Sequence, residues 1–190
     1  LTIEDTVSGS YTFELLDQLD HHTAGDQTET LLTLDLSGAI VGYDEDGDQL
    51  TLDSGSLQIM VQDDIPSQTT GIAQGYVEEE ALSGGNQDTS DITGITGDGD
   101  GNNALWQGTL SGLFSAGADQ PGSYGLGTSF GSLPQLTSDQ ATVSYAVSGN
   151  TLYGYVDSGT AGFDASDRKV FRLTIEDTVS GSYTFELLDQ

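Results

Sequence analysis

The decisive stretch is KVFRLTIEDTVSGSYTFELLDQ, residues 169–190, whose last eighteen residues (173–190) also open the chain as residues 1–18. In its first half Phe171, Leu173 and Ile175 alternate with Arg172, Thr174 and Glu176. In its second half Tyr183, Phe185 and Leu187 alternate with Thr184 and Glu186. Alternation with period two marks strands with one apolar face, and VSGS (179–182) between them is turn chemistry, so the segment reads as a β-hairpin. The first copy repeats it with Leu1, Ile3, Tyr11, Phe13 and Leu15.

An identical 18-residue match at an offset of 172 residues marks a tandem array. The offset is far longer than a solenoid unit of about 20–50 residues and has the size of a whole domain. The segment VQDDIPSQ (61–68) reads as a seam, because Pro66 stops strand pairing. The expected organisation is therefore residues 1–64 as the C-terminal part of one repeat and residues 65–190 as the N-terminal part of the next. Leu1 then reads as a position inside a larger protein. Strand exchange between neighbouring copies is the expected way to complete each domain.

Further strands are expected at 30–36, 50–61, 72–77, 105–114, 142–148 and 150–156. No amphipathic stretch of three helical turns is present. Short strands with 26 glycines and abundant Ser, Thr and Asp at the turns predict an all-β fold, an antiparallel β-sandwich. Trp106 and the tyrosines are read as core or strand-pair residues.

Composition narrows the function. The 190 residues carry 31 acidic and 3 basic side chains, a formal net charge of −28. The bases, Arg168, Lys169 and Arg172, sit within five positions. Nucleic acid as a partner is excluded, since phosphate binding needs a spread basic face. An anionic membrane surface is disfavoured, and no apolar run reaches the ~18 residues of a membrane span. No secretion leader is legible. There is no cysteine, so a disulfide framework, a thiolate nucleophile and a zinc–thiolate site are all ruled out.

Four acidic clusters stand out. DEDGD (44–48) sets Asp44, Asp46 and Asp48 at alternate positions; Asp63 and Asp64 lie at the seam; Glu78, Glu79 and Glu80 follow it; GDGDGNN (97–103) offers Asp98 and Asp100. Close carboxylates repel by about 1 kcal/mol per pair in water, and three basic residues cannot neutralise them. A divalent cation can. Oxygen-only ligands point to calcium, while the bland alternative is a solvated acidic surface. None is an EF-hand: counting from Asp44 the sixth and twelfth positions are Gln49 and Gly55, and from Asp98 they are Asn103 and Thr109. His21–His22 reads as a polar loop. No GxSxG, Walker or HExxH pattern occurs, and no nucleophile–base pair is visible, so an enzyme is not expected.

The order of these segments resembles the tandem repeat domains of very large type I-secreted bacterial surface adhesins. The likeness is carried by VFRLTIEDTVSGSYTFELLDQ (170–190, continued by LDH in the other copy), DEDGD (44–48), VQDDIP (61–66), VEEEALSGGN (77–86) and LSGLFSAGADQPGSYGL (110–126). Gln62 and Ile65 vary the seam, and 87–104 has no counterpart. The resemblance implies immunoglobulin-like extender repeats in a calcium-dependent adhesin or filament on the bacterial cell surface, active in biofilm attachment. It implies type I export with a distal signal, and calcium ligands at Asp44, Asp46, Asp48, Asp63, Asp64 and 78–80, with Asp119 added. Ions at the seam are expected to stiffen the array. The competing expectation is a glycan- or surface-ligand-binding module built on 87–135, with Trp106 as an exposed platform.

Overall fold

The computed structural model describes residues 1–20, 28–85 and 104–189. The chain is all-β and antiparallel, and among the described residues the only helical pieces are 3-10 turns at Ser37–Ala39 and Glu79–Ala81. The strands are β1 (Thr2–Asp5), β2 (Ser10–Thr12), β3 (Leu31–Asp35), β4 (Val41–Tyr43), β5 (Gln49–Thr51), β6 (Gln58–Gln62), β7 (Ser67–Gln68), β8 (Leu105–Thr109), β9 (Phe114–Ser115), β10 (Thr137–Ser138), β11 (Ala141–Thr142), β12 (Ser144–Ser148), β13 (Thr151–Val156), β14 (Arg168–Asp177) and β15 (Ser182–Leu187). Two compact units form. One comprises Leu1–Ser67 with Ala116–Gln120, the other Gln68–Ser115 with Pro121–Gln190.

The second unit holds the larger sheet, with strand order β12-β13-β14-β15-β8. The predicted hairpin forms its centre. Ile175 pairs with Tyr183 and Leu173 with Phe185, and the next strands out bring Leu152 opposite Leu173 and Trp106 opposite Phe185. Period-two alternation puts all these side chains on one face. The other face mixes polar pairs with aromatic rings: Thr151 and Thr174 share a hydroxyl hydrogen bond at 3.0 Å, Arg172 pairs with Glu186 at 2.5 Å, and Phe163 packs on Tyr153 and Tyr155. Irregular segments cover the apolar face rather than a second extended sheet. Tyr76 meets Trp106 edge-on at 6.1 Å, Phe114 meets Tyr124 at 5.0 Å, and Phe130 meets Tyr145 at 6.2 Å.

Of the strands expected outside the two hairpins, 30–36, 142–148 and 150–156 form as β3, β12 and β13. The run 50–61 divides into β5 and β6 around the Asp53–Ser56 turn, and 105–114 divides into β8 and β9. The stretch 72–77 pairs with nothing. Its Gly75 lies under the Trp106 ring, where any Cβ would collide with the indole, so this segment serves as cover instead of as a strand.

The first unit is built of small pairs: β1–β2, β3–β6 and β4–β5. Leu32 faces Val61 and Leu34 faces Ile59 across β3 and β6. Asp35 holds this pair to the following turn. Its carboxylate accepts from Ser37 Oγ at 2.6 Å, Ser54 Oγ at 2.5 Å and Gly55 N at 2.9 Å, while buried Ser37 Oγ accepts from Leu57 N at 2.9 Å.

The two copies of the repeated hairpin have the same local structure and opposite environments. Both register as Thr–Thr, Ile–Tyr and Asp–Ser pairs with a bulge before the aspartate. In both, that aspartate (Asp5 or Asp177) accepts from the N–H groups two and three residues on, and a glycine at φ +72° or +68° closes the turn, a conformation that costs glycine little. Yet Ile175 is 2% exposed and Tyr183 8%, against 49% for Ile3 and 46% for Tyr11. Ile175→Ala should therefore cost about 2–5 kcal/mol of stability. Ile3→Ala, the same change in the same local sequence, should cost under about 0.5 kcal/mol. Urea unfolding of the two variants checks this difference directly.

Candidate metal centre

The DEDGD motif forms the loop of the β4–β5 hairpin, five residues between Tyr43 and Gln49, which pair with each other. The loop closes on itself. Asp44 N donates to Asp48 O at 3.1 Å, Gly47 N to Asp44 O at 3.3 Å, and Asp48 N to Asp44 Oδ1 at 2.7 Å. Gly47, at φ +94°, makes the reversal that a residue with a Cβ would resist. The spacing Asp-x-Asp-Gly-Asp is thereby turned into a concave cluster. One carboxylate oxygen from each of Asp44, Asp46 and Asp48 lies within 4.8 Å of the other two, and all three side chains are exposed.

Three oxygens at such separations suit a shared ion with oxygen distances of about 2.3–2.6 Å, the range for calcium. All three basic residues lie in the second unit, so no Lys or Arg of the first unit competes for the cluster. The Asp44 carboxyl is held below the usual carboxylate range by its contacts within the loop, with the Asp46 side chain first and the backbone N–H of Asp48 next. The residues present thus fit a hard cation. Asp44 doubles as the loop's internal acceptor, whereas Asp46 is free of that duty and is the ligand to test.

The other predicted ligands fall elsewhere. Asp63 and Asp64 follow β6 in the first unit, where Asp63 N donates to Thr30 O at 2.9 Å and Asp64 Oδ2 accepts from Ala118 N at 2.8 Å. Asp119, exposed, stands next to that contact in the same unit. Glu78, Glu79 and Glu80 belong to the second unit, the last two opening the 3-10 turn Glu79–Ala81. Among the described residues only Asp44, Asp46 and Asp48 bring three acidic ligands together. Asp98, Asp100 and the His21–His22 pair lie outside the described residues. Trp106 is half-buried, not an exposed platform. It lines an apolar groove of about 280 Å³ with Gly75, Tyr76, Leu173, Tyr183 and Phe185, and its buried indole N–H has no partner among the described residues.

Several acids that sequence reading passed over are occupied by N–H and O–H donors. Asp35 is the first. Asp167, buried, accepts from Ser158 N at 2.9 Å and Asp164 N at 2.7 Å, which pins the 157–167 loop. These hydrogen bonds hold the Asp35 and Asp167 carboxyls below the usual range. The legible signal for Asp35 was an aspartate two residues before a serine at a strand end; Asp167 takes its donors from residues before it and carried no such signal.

Compared with protein families, curated proteins and solved structures, the chain matches none of them. The reading of the site therefore rests on its own geometry.

An open site of three carboxylates should bind calcium with Kd of about 10⁻⁴–10⁻³ M, the range of extracellular modules. Calorimetric titration of the whole chain checks this. Asp46→Asn should weaken binding about tenfold, equal to about 1.4 kcal/mol. Binding should also fade as pH drops below the ordinary carboxylate range. A depressed folded pKa leaves Asp44 charged above the ordinary value and loses its contribution only below it. A calcium heat unchanged by Asp46→Asn would remove this cluster as the site.

Proposed function

We propose that the chain is a calcium-stabilised structural extender from a bacterial cell-surface adhesin or surface filament. In this reading the repeats are immunoglobulin-like, are exported by a type I system, and project adhesive regions for surface or biofilm attachment. The observation that carries it is the identical hairpin at an offset of 172 residues, folded with the same register in both places. Sequence identity across a domain-sized period favours a spacer. A spacer needs length and uniformity, whereas a set of binding sites would have room to diverge. The five-stranded antiparallel sheet with one apolar face supports a β-sandwich repeat. The Asp44, Asp46 and Asp48 cluster supports calcium, which those residues would hold, supplying the positive charge that the first unit's own side chains lack.

The second reading, a glycan- or surface-ligand-binding module carried by the 87–135 region, would use the apolar groove beside Trp106. Packing of Gly75 against the indole ring and the edge-on contact with Tyr76 favour the structural role for Trp106. Calcium and binding partners separate the two readings.

Calcium at 1 mM over a site with Kd of 0.1–1 mM should stabilise the chain by roughly 0.4–1.4 kcal/mol relative to EDTA, from RT ln(1 + [L]/Kd). Small-angle scattering of arrays with one, two and three repeats should show maximum dimension growing linearly with repeat number in calcium. Melting curves that superimpose with and without EDTA, together with arrays that collapse to a compact particle, would defeat the extender reading.

A further inference from the structure

We infer that the hairpin of residues 1–15 is an unfinished sheet, completed by β8 and β13 from a second copy of this chain's sequence. The second unit displays the finished state. There β14 pairs along one edge with β13 and β15 pairs along the other with β8, so both edges of the hairpin are hydrogen-bonded. Its apolar face is covered as well, with Ile175 and Tyr183 buried. In the first copy, among the described residues, β1 and β2 pair only with each other. Both outer edges are open to pairing, and Leu1, Ile3, Tyr11 and Leu15 stand 46–49% exposed. An open strand edge beside an apolar face is an acceptor for strand addition.

The same eighteen residues are covered in one place and bare in the other, so the chain itself identifies the complementary surface. It is the surface formed by Leu105–Thr109 and Thr151–Val156, with Gly108 sitting opposite the tyrosine and Trp106 opposite the phenylalanine. No other partner need be invoked. Counting settles where this surface comes from. The chain has two hairpins of this sequence and one such surface, already filled by residues 173–187. Exchange between two molecules gains nothing, since each docking releases an identical hairpin. In a tandem array of this period, the residues preceding Leu1 are those preceding Leu173. The missing surface then arrives covalently attached, through the turn that leads into β14. This inference rests on the tandem-array part of the proposed function and not on calcium.

The experiment is amide hydrogen exchange on two proteins. One is the 190-residue chain. The other is the same chain with a copy of residues 68–172 joined before Leu1. Both carry Val7→Ala, at a turn position 96% exposed, which distinguishes peptides of the first hairpin by mass from those of the second. In the 190-residue chain, amides of residues 2–12 should exchange rapidly and those of 174–184 slowly. In the extended protein, exchange at 2–12 should slow by about 100-fold and approach that of 174–184. Ile3→Asp should abolish the gain in the extended protein and leave the 190-residue chain unchanged. The inference is overturned if the extended protein gives no slowing. It is equally overturned if 2–12 is already protected in the 190-residue chain, or becomes protected only as protein concentration rises, because the cover would then be internal or a second hairpin. Running each arm in calcium and in EDTA separates this result from the metal reading: the predicted protection survives EDTA even if no calcium binds.

Discussion

Ile175 and Tyr183 face each other across β14 and β15, and the order of the second unit depends on burying that pair. They lie in the middle of a five-stranded sheet, so both flanking strands must be in place before either is covered. Full burial of such side chains contributes about 1.5–3 kcal/mol each, several times the net worth of one backbone hydrogen bond. The polar face adds registry more than energy. Arg172–Glu186 is a partly exposed pair, and such pairs contribute about 0–1 kcal/mol. The apolar face therefore decides that these strands assemble, and the cross-strand polar pairs fix how they slide. Gly108 and Gly154 are part of the same constraint, since Tyr183 and Phe171 occupy the space their side chains would need.

Charge follows a different rule in each unit. The second unit keeps all three cations in β14. Arg168 reaches Asp189 and Ser138, Arg172 reaches Glu186, and Lys169 lies 5.9 Å from the ring centres of Tyr153 and Phe163. The first unit has carboxylates and no Lys or Arg. It handles them in two ways. Asp5 and Asp35 are saturated by N–H and hydroxyl donors, which distribute partial positive charge where a cation is missing. Asp44, Asp46 and Asp48 are gathered by a glycine turn, and the loop's own N–H donors fall on Asp44. Saturated carboxylates lock turns. The gathered ones are left with oxygens to offer, and that separates a candidate ligand from a structural acid on this surface.

Much of this was legible in the residues, and the reasons are specific. Alternation of Phe171, Leu173 and Ile175 with charged and hydroxyl residues gave the hairpin its faces, and the turn residues gave its bounds. DEDGD declared its own convergence, because alternate acids around a glycine fold onto one side of a turn. The stretch 72–77 misled because a short run with Ile72, Tyr76 and Val77 suits both a strand and a coil segment lying over a sheet; Gly75 beneath Trp106 decided for the coil. The acidic runs at 63–64 and 78–80 looked equivalent to DEDGD on charge alone. Their local hydrogen bonds and separate units are products of tertiary structure, which composition does not encode. Asp35 and Asp167 went unread because a hydrogen-bonded aspartate and a solvated one have the same letter.

The duplicated eighteen residues separate local from tertiary causes within one molecule. Register, bulge, aspartate turn and left-handed glycine recur in both copies, so those features are properties of the sequence itself. Burial does not recur, so it is a property of the neighbours. A hairpin that forms without its neighbours has already met its ordering cost of about 1–2 kcal/mol per residue before it docks. Docking then gains apolar burial and edge hydrogen bonds with little further loss of freedom. An element preformed in this way can be separated by a domain boundary from the sheet it completes and still find its place. In the tandem array proposed above this has a mechanical consequence. Where the completing hairpin of one sheet leads directly into the next unit, tension along the chain pulls on paired strands and not on a bare linker.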